Sequence, residues 1–391
     1  MSHQYPVLKV VSREFLRISK DPMNLFFLLI GPVTAFLLIA LIFSANTPVN
    51  LPVGIVDLDG SSLSRKIIRM IDATPVAEVK RGYLSLTEAR KAVECGELDA
   101  VVAINKNTEA DILRGERVHI AVFINNAYLI KGGVLSSGIQ KAIGTVSSGI
   151  RLQSRLMSGE SRPEALADIL PVQIRPILLF NPYTSYSYYL TILLVPVMLT
   201  VFVLFGSLYA IGTELQDGTG ADWLESADGR ILPALAGKLF PYTVGFCVLA
   251  LLMDLILFRM LGLPLRGRLA LILSGEMMLI LSYQSMAIFI LGLTKNLRLG
   301  LSVASAWTML ALTYAGLTFP LFGMPLIAKV ISRIFPYTYW LSLFTGQTLR
   351  GEPVAYGMTQ LIYLSGFILL GMCLVPRLKF LLDSGKYSGR K

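Results

Sequence analysis

The stretch from Asn24 to Phe43 runs for twenty residues without one charged side chain. At 1.5 Å per helical residue, about 20 residues match a hydrocarbon layer of about 30 Å, so a run of this kind is built to cross a bilayer. Five more apolar runs follow, at about 186–211, 239–261, 269–293, 301–319 and 359–376. In a chain of 391 residues that is 54% hydrophobic and 15% charged, this pattern lies outside the range of soluble globular proteins. The expected fold class is a membrane all-α protein of six transmembrane helices with an α/β domain inserted between the first two.

The segment before the first run, residues 6–20, places Leu8, Val11, Phe15 and Ile18 at helical spacing and Lys9, Arg13, Arg17 and Lys20 on another face. That reads as an amphipathic interfacial helix resting among membrane lipids. A cleaved signal peptide is the rival reading, because Ser44 and Ala45 follow the apolar run. The run is longer than a usual signal core and its basic flank is itself a long helix, so residues 1–44 are expected to remain as interfacial helix plus first span.

From residue 45 to 184 the hydropathy falls. Short β-like runs at Leu51 to Val56, Ala100 to Ile104 and Val118 to Ile124 are separated by helical stretches. Asp59 and Ser61 suit the start of one helix, and Gly96 suits the end of another. A longer helix carries Leu135, Ile139, Ile143, Val146 and Ile150 on one face. About 140 residues can enclose a core of their own, so this is a domain rather than a loop.

Net charge is +10, but the basic residues flank apolar runs, which is the signature of membrane orientation and gives no support to nucleic-acid binding. With the N-terminus inside, the short inner segments hold Lys9, Arg13, Arg17, Lys20, Arg230, Lys238, Lys295, Arg298 and five basic residues after Pro376. The short outer segments hold six, including the poorly fitting trio Arg259, Arg266 and Arg268. Both termini are therefore expected in the cytoplasm and the 45–184 domain outside it, in the inner membrane of a bacterial cell. The three cysteines are far apart and only two histidines occur, so neither a metal site nor a disulfide framework is expected.

Asp254 and Glu276 lie inside apolar runs, where a charge costs several kcal/mol unless paired or hydrated. Each sits about seven residues from the outer end of its run, and Arg259 follows Asp254 at about one turn. A polar contact between neighbouring spans is the favoured reading, and a place on a substrate or proton path is the other. Trp307, Tyr314, Phe319, Tyr186, Tyr188 and Tyr189 fit aromatic belts at the membrane interfaces.

No GxxxxGK[ST] phosphate loop occurs, so the chain has no evident means of holding ATP. The run SLFTGQ at 342–347 is a chance likeness to an ATPase signature. Four other pieces carry a stronger likeness: KDPMNLFFLLIGP at the first span, VGIVDLDGSSLSRKI followed by GELDAVVAI in the inserted domain, ELQDGTGADWL followed by GKLFPY after the second span, and YAGLTFPLFGMP followed by FPYTYW near the fifth. In this order the chain resembles the type-2 ABC exporter permeases, in the efflux-like subgroup with a large extracytoplasmic domain between the first two spans.

That resemblance implies a membrane-spanning transport subunit that is not itself an enzyme. It would work as a dimer with a second copy or paralogue, and a separate ABC ATPase subunit would bind the ATP and Mg. A periplasmic adaptor protein is a further partner that some relatives of this kind engage. Residues 213–238 would form the cytoplasmic segment that couples to the ATPase, and 320–356 an outer re-entrant segment within the 185–391 membrane domain. In the coupling segment, Gly218 and Thr219 would turn the chain and cap a short helix. Glu214, Asp217 and Asp222 would present negative charge, and Trp223 and Leu224 would anchor in the partner. Here Gln216 and Gly220-Ala221 dilute the charge usual around the glycine-threonine pair, which implies either a weaker contact or one adapted to a particular ATPase. Two other classes stay open: a receptor or scaffold that uses the outer domain, and an ion-coupled transporter that uses Asp254 and Glu276. The substrate is not legible.

Overall fold

The structure is a computed structural model and describes residues 6–43, 48–164, 186–316 and 319–384. The chain folds as two compact units, Met1–Ser44 with Ser187–Lys391, and Ala45–Tyr186. The first begins with α1 (Pro6–Lys20), which ends where Asp21 accepts a hydrogen bond from the Met23 amide and opens α2 (Pro22–Ile42). Pro22 at the first helical position costs nothing, since its missing N–H would have had no partner there. Gly31 and Pro32 lie directly after a π-turn at Phe26–Ile30, so the helix absorbs its proline by locally widening.

In the second unit, β1 (Leu51–Asp57), α3 (Ser62–Asp72), β2 (Ala77–Gly82), α4 (Leu86–Glu94), β3 (Ala100–Ile104), α5 (Thr108–Leu113), β4 (Ala121–Ile124) and α6 (Leu129–Met157) follow in order. The sheet order is β2-β1-β3-β4, with β1 parallel to β2 and β3, and β4 antiparallel to β3 at the edge. Ser61 caps α3 by accepting from the Ser64 amide at 3.0 Å. Asp59 takes no part in that cap and accepts instead from the Glu109 amide. Leu135, Ile139 and Val146 of α6 are buried against Ile67, Ile71 and the sheet, whereas Ile143 and Ile150 on the same face are only half covered. Strand β2 gives little sequence signal because it is an edge strand of sequence AEVKRG, polar enough to read as loop.

The first unit resumes with α7 (Tyr186–Gln216), α8 (Gly220–Glu225), α9 (Ile231–Asp254), α10 (Leu269–Thr294), α11 (Leu297–Tyr314), α12 (Leu326–Ser332), α13 (Pro336–Thr345), α14 (Val354–Met372) and α15 (Val375–Ser384). Five helical stretches among the described residues are long and apolar enough to cross a membrane: Pro22–Ile42, Leu190–Gln216, Ile231–Met260, Leu269–Thr294 and Val354–Ser384. The run expected to be a sixth span forms α11, which has 18 residues but carries Arg298, Ser302, Ser305, Thr308 and Thr313 and falls short of the others in apolarity. Where the re-entrant segment was expected, α12 and α13 form a helical pair, and Tyr337, Trp340 and Phe344 of α13 are fully buried. Helix α10 is the centre of this unit. Its Ser282 and Ser285 hydroxyls donate to the Leu364 and Ile368 carbonyls of α14 at 3.0 and 2.7 Å. Such contacts satisfy polar groups inside an apolar bundle while holding helices close.

Candidate coupling site

Glu14 is the only acidic residue of α1, and it shares a face with Val10 and Ile18 at four-residue spacing, so it is buried along with them. That face packs on the start of α9, where Gly237 permits close approach. A Cβ there would sit 2.7 Å from the Val10 Cβ and 2.8 Å from the Val7 carbonyl oxygen. The next residue, Lys238, is fully enclosed, and its ammonium donates to Glu14 Oε2 at 2.7 Å and to Glu214 Oε1 at 2.9 Å. Glu214, at the end of α7, has no solvent exposure either.

The second carboxylate draws in the basic residues of α1. Arg13 Nη2 donates to Glu214 Oε2 at 3.1 Å, and Arg17 pairs with the same carboxylate while donating to Thr213 Oγ1 at 2.8 Å. Asp217 lies 3.7 Å from Arg17 as a looser partner. At the start of α2, Asp21 accepts from Asn24 and from the Tyr209 hydroxyl, at 3.0 and 3.1 Å. The Tyr242 hydroxyl lies between Glu14 Oε1 and Asn24 Oδ1, at 3.2 and 2.9 Å. The ends of α1, α2, α7 and α9 are thus tied together by one charged network. A buried charge is tolerable only when its partners complete its hydrogen bonds, and here each has at least two.

Helix α8 closes this network from one side. Gly218 adopts φ +73°, which lets the chain reverse after α7. Thr219 then stands at the helix start, but its hydroxyl donates to Glu214 rather than capping α8, so the expected cap is replaced by a link into the charge cluster. The Trp223 ring lies 5.0 Å from Lys238 Nζ and supplies a cation–π contact within the usual range. Trp223 is 0% exposed and Leu224 2%. The expectation that these two anchor in a partner is corrected: their apolar bulk is already spent on the chain's own core, and Gly220 of the same helix packs against Leu382 of α15. What α8 and its flanks leave exposed is acidic, namely Asp217, Asp222, Glu225 and Asp228, with Arg230 as the basic neighbour. Glu214 is removed from that set because its charge is met internally.

Of the interfacial-helix residues, Lys9 and Lys20 are exposed alongside Leu8, Phe15 and Leu16, whereas Arg13 and Arg17 turn inward to Glu214. Ile18, read as part of the lipid-facing stripe, is buried against the bundle. Sequence reading did not find Glu14, Asn24, Tyr209 or Tyr242. The lone acid on the Val10–Ile18 face of a basic helix was the available signal.

Deeper in the bundle, α9 and α10 run antiparallel with polar pairs between them. Thr243 donates to Gln284 Oε1 at 2.9 Å, and Cys247 lies 3.8 Å from the Met277 sulfur. Asp254 and Glu276 are neighbours in this interface, buried to 6% and 2% exposure. Neither Asp254 oxygen nor Glu276 Oε1 has a hydrogen-bond partner among the described residues. Arg259, one turn after Asp254, forms no ion pair with either carboxylate among the described residues. Arg259 lies in a π-turn, Leu255–Met260, that breaks the α-helical register after Asp254 and turns the guanidinium to the exposed side.

A family model described as ABC-2 family transporter protein matches residues 24–375, a range that contains this site apart from α1, the Asp21 cap and Leu382 of α15. No curated protein matches the chain.

Proposed function

Since the chain belongs to the ABC-2 family of transporter proteins and is thereby a membrane permease component of an ABC transporter, we propose that it is the path-forming subunit of an ATP-driven exporter whose ATPase is a separate chain. The observation that carries this reading is the charge-locked junction of α1, α7, α8 and α9, with the acidic surface of Asp217, Asp222, Glu225 and Asp228 outside it. A push on α8 is transmitted at once to three long helices. Trp223 bears on Lys238 of α9, Thr219 on Glu214 of α7, and both partners on α1. Rigid-body switching needs this kind of stiff connection between a docking element and the moving helices.

In this reading the partner binds ATP and Mg, while α8 and the acidic residues beside it dock by charge complementarity, which governs specificity more than affinity. Helix α11 serves as the sixth span, with its serine and threonine side chains turned to the path. A second permease copy or paralogue completes that path. The orientation places both termini in the cytoplasm of a bacterial inner-membrane protein, with the Ala45–Tyr186 unit outside. The distribution of Lys and Arg supports that orientation.

The test is affinity purification of the full chain from its native membranes in mild detergent. A co-purifying subunit that hydrolyses MgATP is expected, and Asp222→Lys with Glu225→Lys is expected to lower its recovery at least fivefold while the permease stays folded. Absence of an ATP-hydrolysing partner, or its undiminished recovery with the charge-reversed variant, would sink the coupling assignment.

A further inference from the structure

Between α6 and the edge strand β4 the Ala45–Tyr186 unit opens into a groove of about 1120 Å³. Its floor is aliphatic, with Ile67, Ile120, Val122, Ile143 and Ile150 facing it. These include the two residues on the inner face of α6 that the domain core leaves half covered. The rim is basic: Arg117, Arg151 and Arg155 line it beside the His119 imidazole, with Glu116 as the one acid among the lining residues. Arg155 is engaged by Glu160 at 2.6 Å. Arg117 and Arg151 are exposed and form no ion pair with any described residue.

We propose that this groove binds an acyl chain with an acidic head group, the chain lying along the aliphatic floor and the head held by Arg117 and Arg151. Each enclosed methylene contributes about 0.8 kcal/mol, so the floor rewards a hydrocarbon tail in a way that it could not reward a polar ligand. Free guanidinium groups match carboxylate and phosphate geometry and repel cations, which fixes the sign of the head. The α6 wall between Ser136 and Arg155 extends about 28 Å, the shape of a chain rather than of a compact ring system. An acidic polypeptide would use the rim and leave the floor without purpose, so the lipid-type ligand uses more of what is built. The assignment concerns this unit alone and stands apart from the ATPase reading.

The experiment uses the full chain in maltoside micelles with a photoreactive palmitate carrying a diazirine near its tail, followed by peptide mapping. Adducts are expected within residues 112–124 and 136–155. Arg117→Ala with Arg151→Ala should cut labelling at these peptides at least tenfold. Both side chains are exposed, so an unchanged melting temperature is expected and confirms that the loss is local. Excess palmitate or phosphatidic acid should abolish labelling, and which of the two is more potent tells whether a free fatty acid or a phospholipid is the occupant. Hexadecanol, which has the tail without the acid, should compete weakly. Adducts confined to the membrane-spanning helices, labelling unchanged by the double substitution, competition by hexadecanol equal to that by palmitate, or displacement by polyglutamate alone would each overturn the proposal.

Discussion

Replacing Lys238 by Met removes the ammonium shared by Glu14 and Glu214 while keeping most of the side-chain volume. The two carboxylates do not suffer equally. Glu214 retains Arg13, Arg17 and the Thr219 hydroxyl, whereas Glu14 is left with the Tyr242 hydroxyl alone. Glu14 is fully buried, so the substitution strands one charge without a counter-ion, and removing one partner of a buried pair costs about 3–5 kcal/mol. Adding Glu14→Gln removes the stranded charge and keeps an acceptor for Tyr242. The double variant is therefore expected to recover about 1–3 kcal/mol relative to Lys238→Met, the size of coupling typical of contacting residues. Reversible unfolding in mixed micelles of sodium dodecyl sulfate and maltoside measures both, and Trp223 beside Lys238 gives a fluorescence signal at the site. A loss below about 1 kcal/mol for Lys238→Met, or a double variant weaker than the single, would show that Glu14 is not a dry charge dependent on Lys238, and the lock would fail as an explanation.

Trp223→Ala should destabilise the permease itself by about 3–5 kcal/mol and Leu224→Ala by about 2–5 kcal/mol, read as lowered melting temperature of the purified chain without any partner. Stability equal to the parent would return both side chains to the role of exposed anchors. Glu276→Gln should leave folding close to the parent. Glu276→Leu should cost about 1–3 kcal/mol more, because Asp254 then faces hydrocarbon. Equal melting of the two variants would mean that the Asp254–Glu276 contact contributes nothing structural. Cysteine placed at Ser61 or Gly115 should react with a membrane-impermeant maleimide in intact spheroplasts, and reaction only after lysis would invert the proposed orientation.

The apolar runs were plain in the sequence because a bilayer demands length and the absence of charge, and both can be read residue by residue. Helix α11 shows the limit of that rule, since its arginine and hydroxyl side chains lower its apolarity although it is as helical as its neighbours. The candidate coupling site was half legible. Gly218, Thr219 and the acids near α8 stood out by type, but their partners are set by long-range packing that no local pattern encodes. Trp223 was read as a surface anchor because its segment is polar, and only the approach of α9 and α15 shows it enclosed. Lys238 looked like an orientation signal flanking a span, and its burial between two carboxylates depends on a helix that begins 232 residues earlier.

That sequence separation has a consequence for how the chain is made. Glu14 and Lys238 lie 224 positions apart, and at about 5–20 residues per second the ribosome needs roughly 10–45 s to supply the lysine after the glutamate. During that interval Glu14 has no lysine to pair with while α2, the second unit and α7 are synthesised, and Arg13 and Arg17 gain their carboxylate only when Glu214 appears at the end of α7. Closure of the network is then a late step that only a chain extended through the start of α9 can complete. A nascent chain that stalls before that point leaves Glu14 without the lysine that neutralises it, even where Glu214 has already met Arg13 and Arg17, so an unfinished chain differs from a finished one by one uncompensated carboxylate.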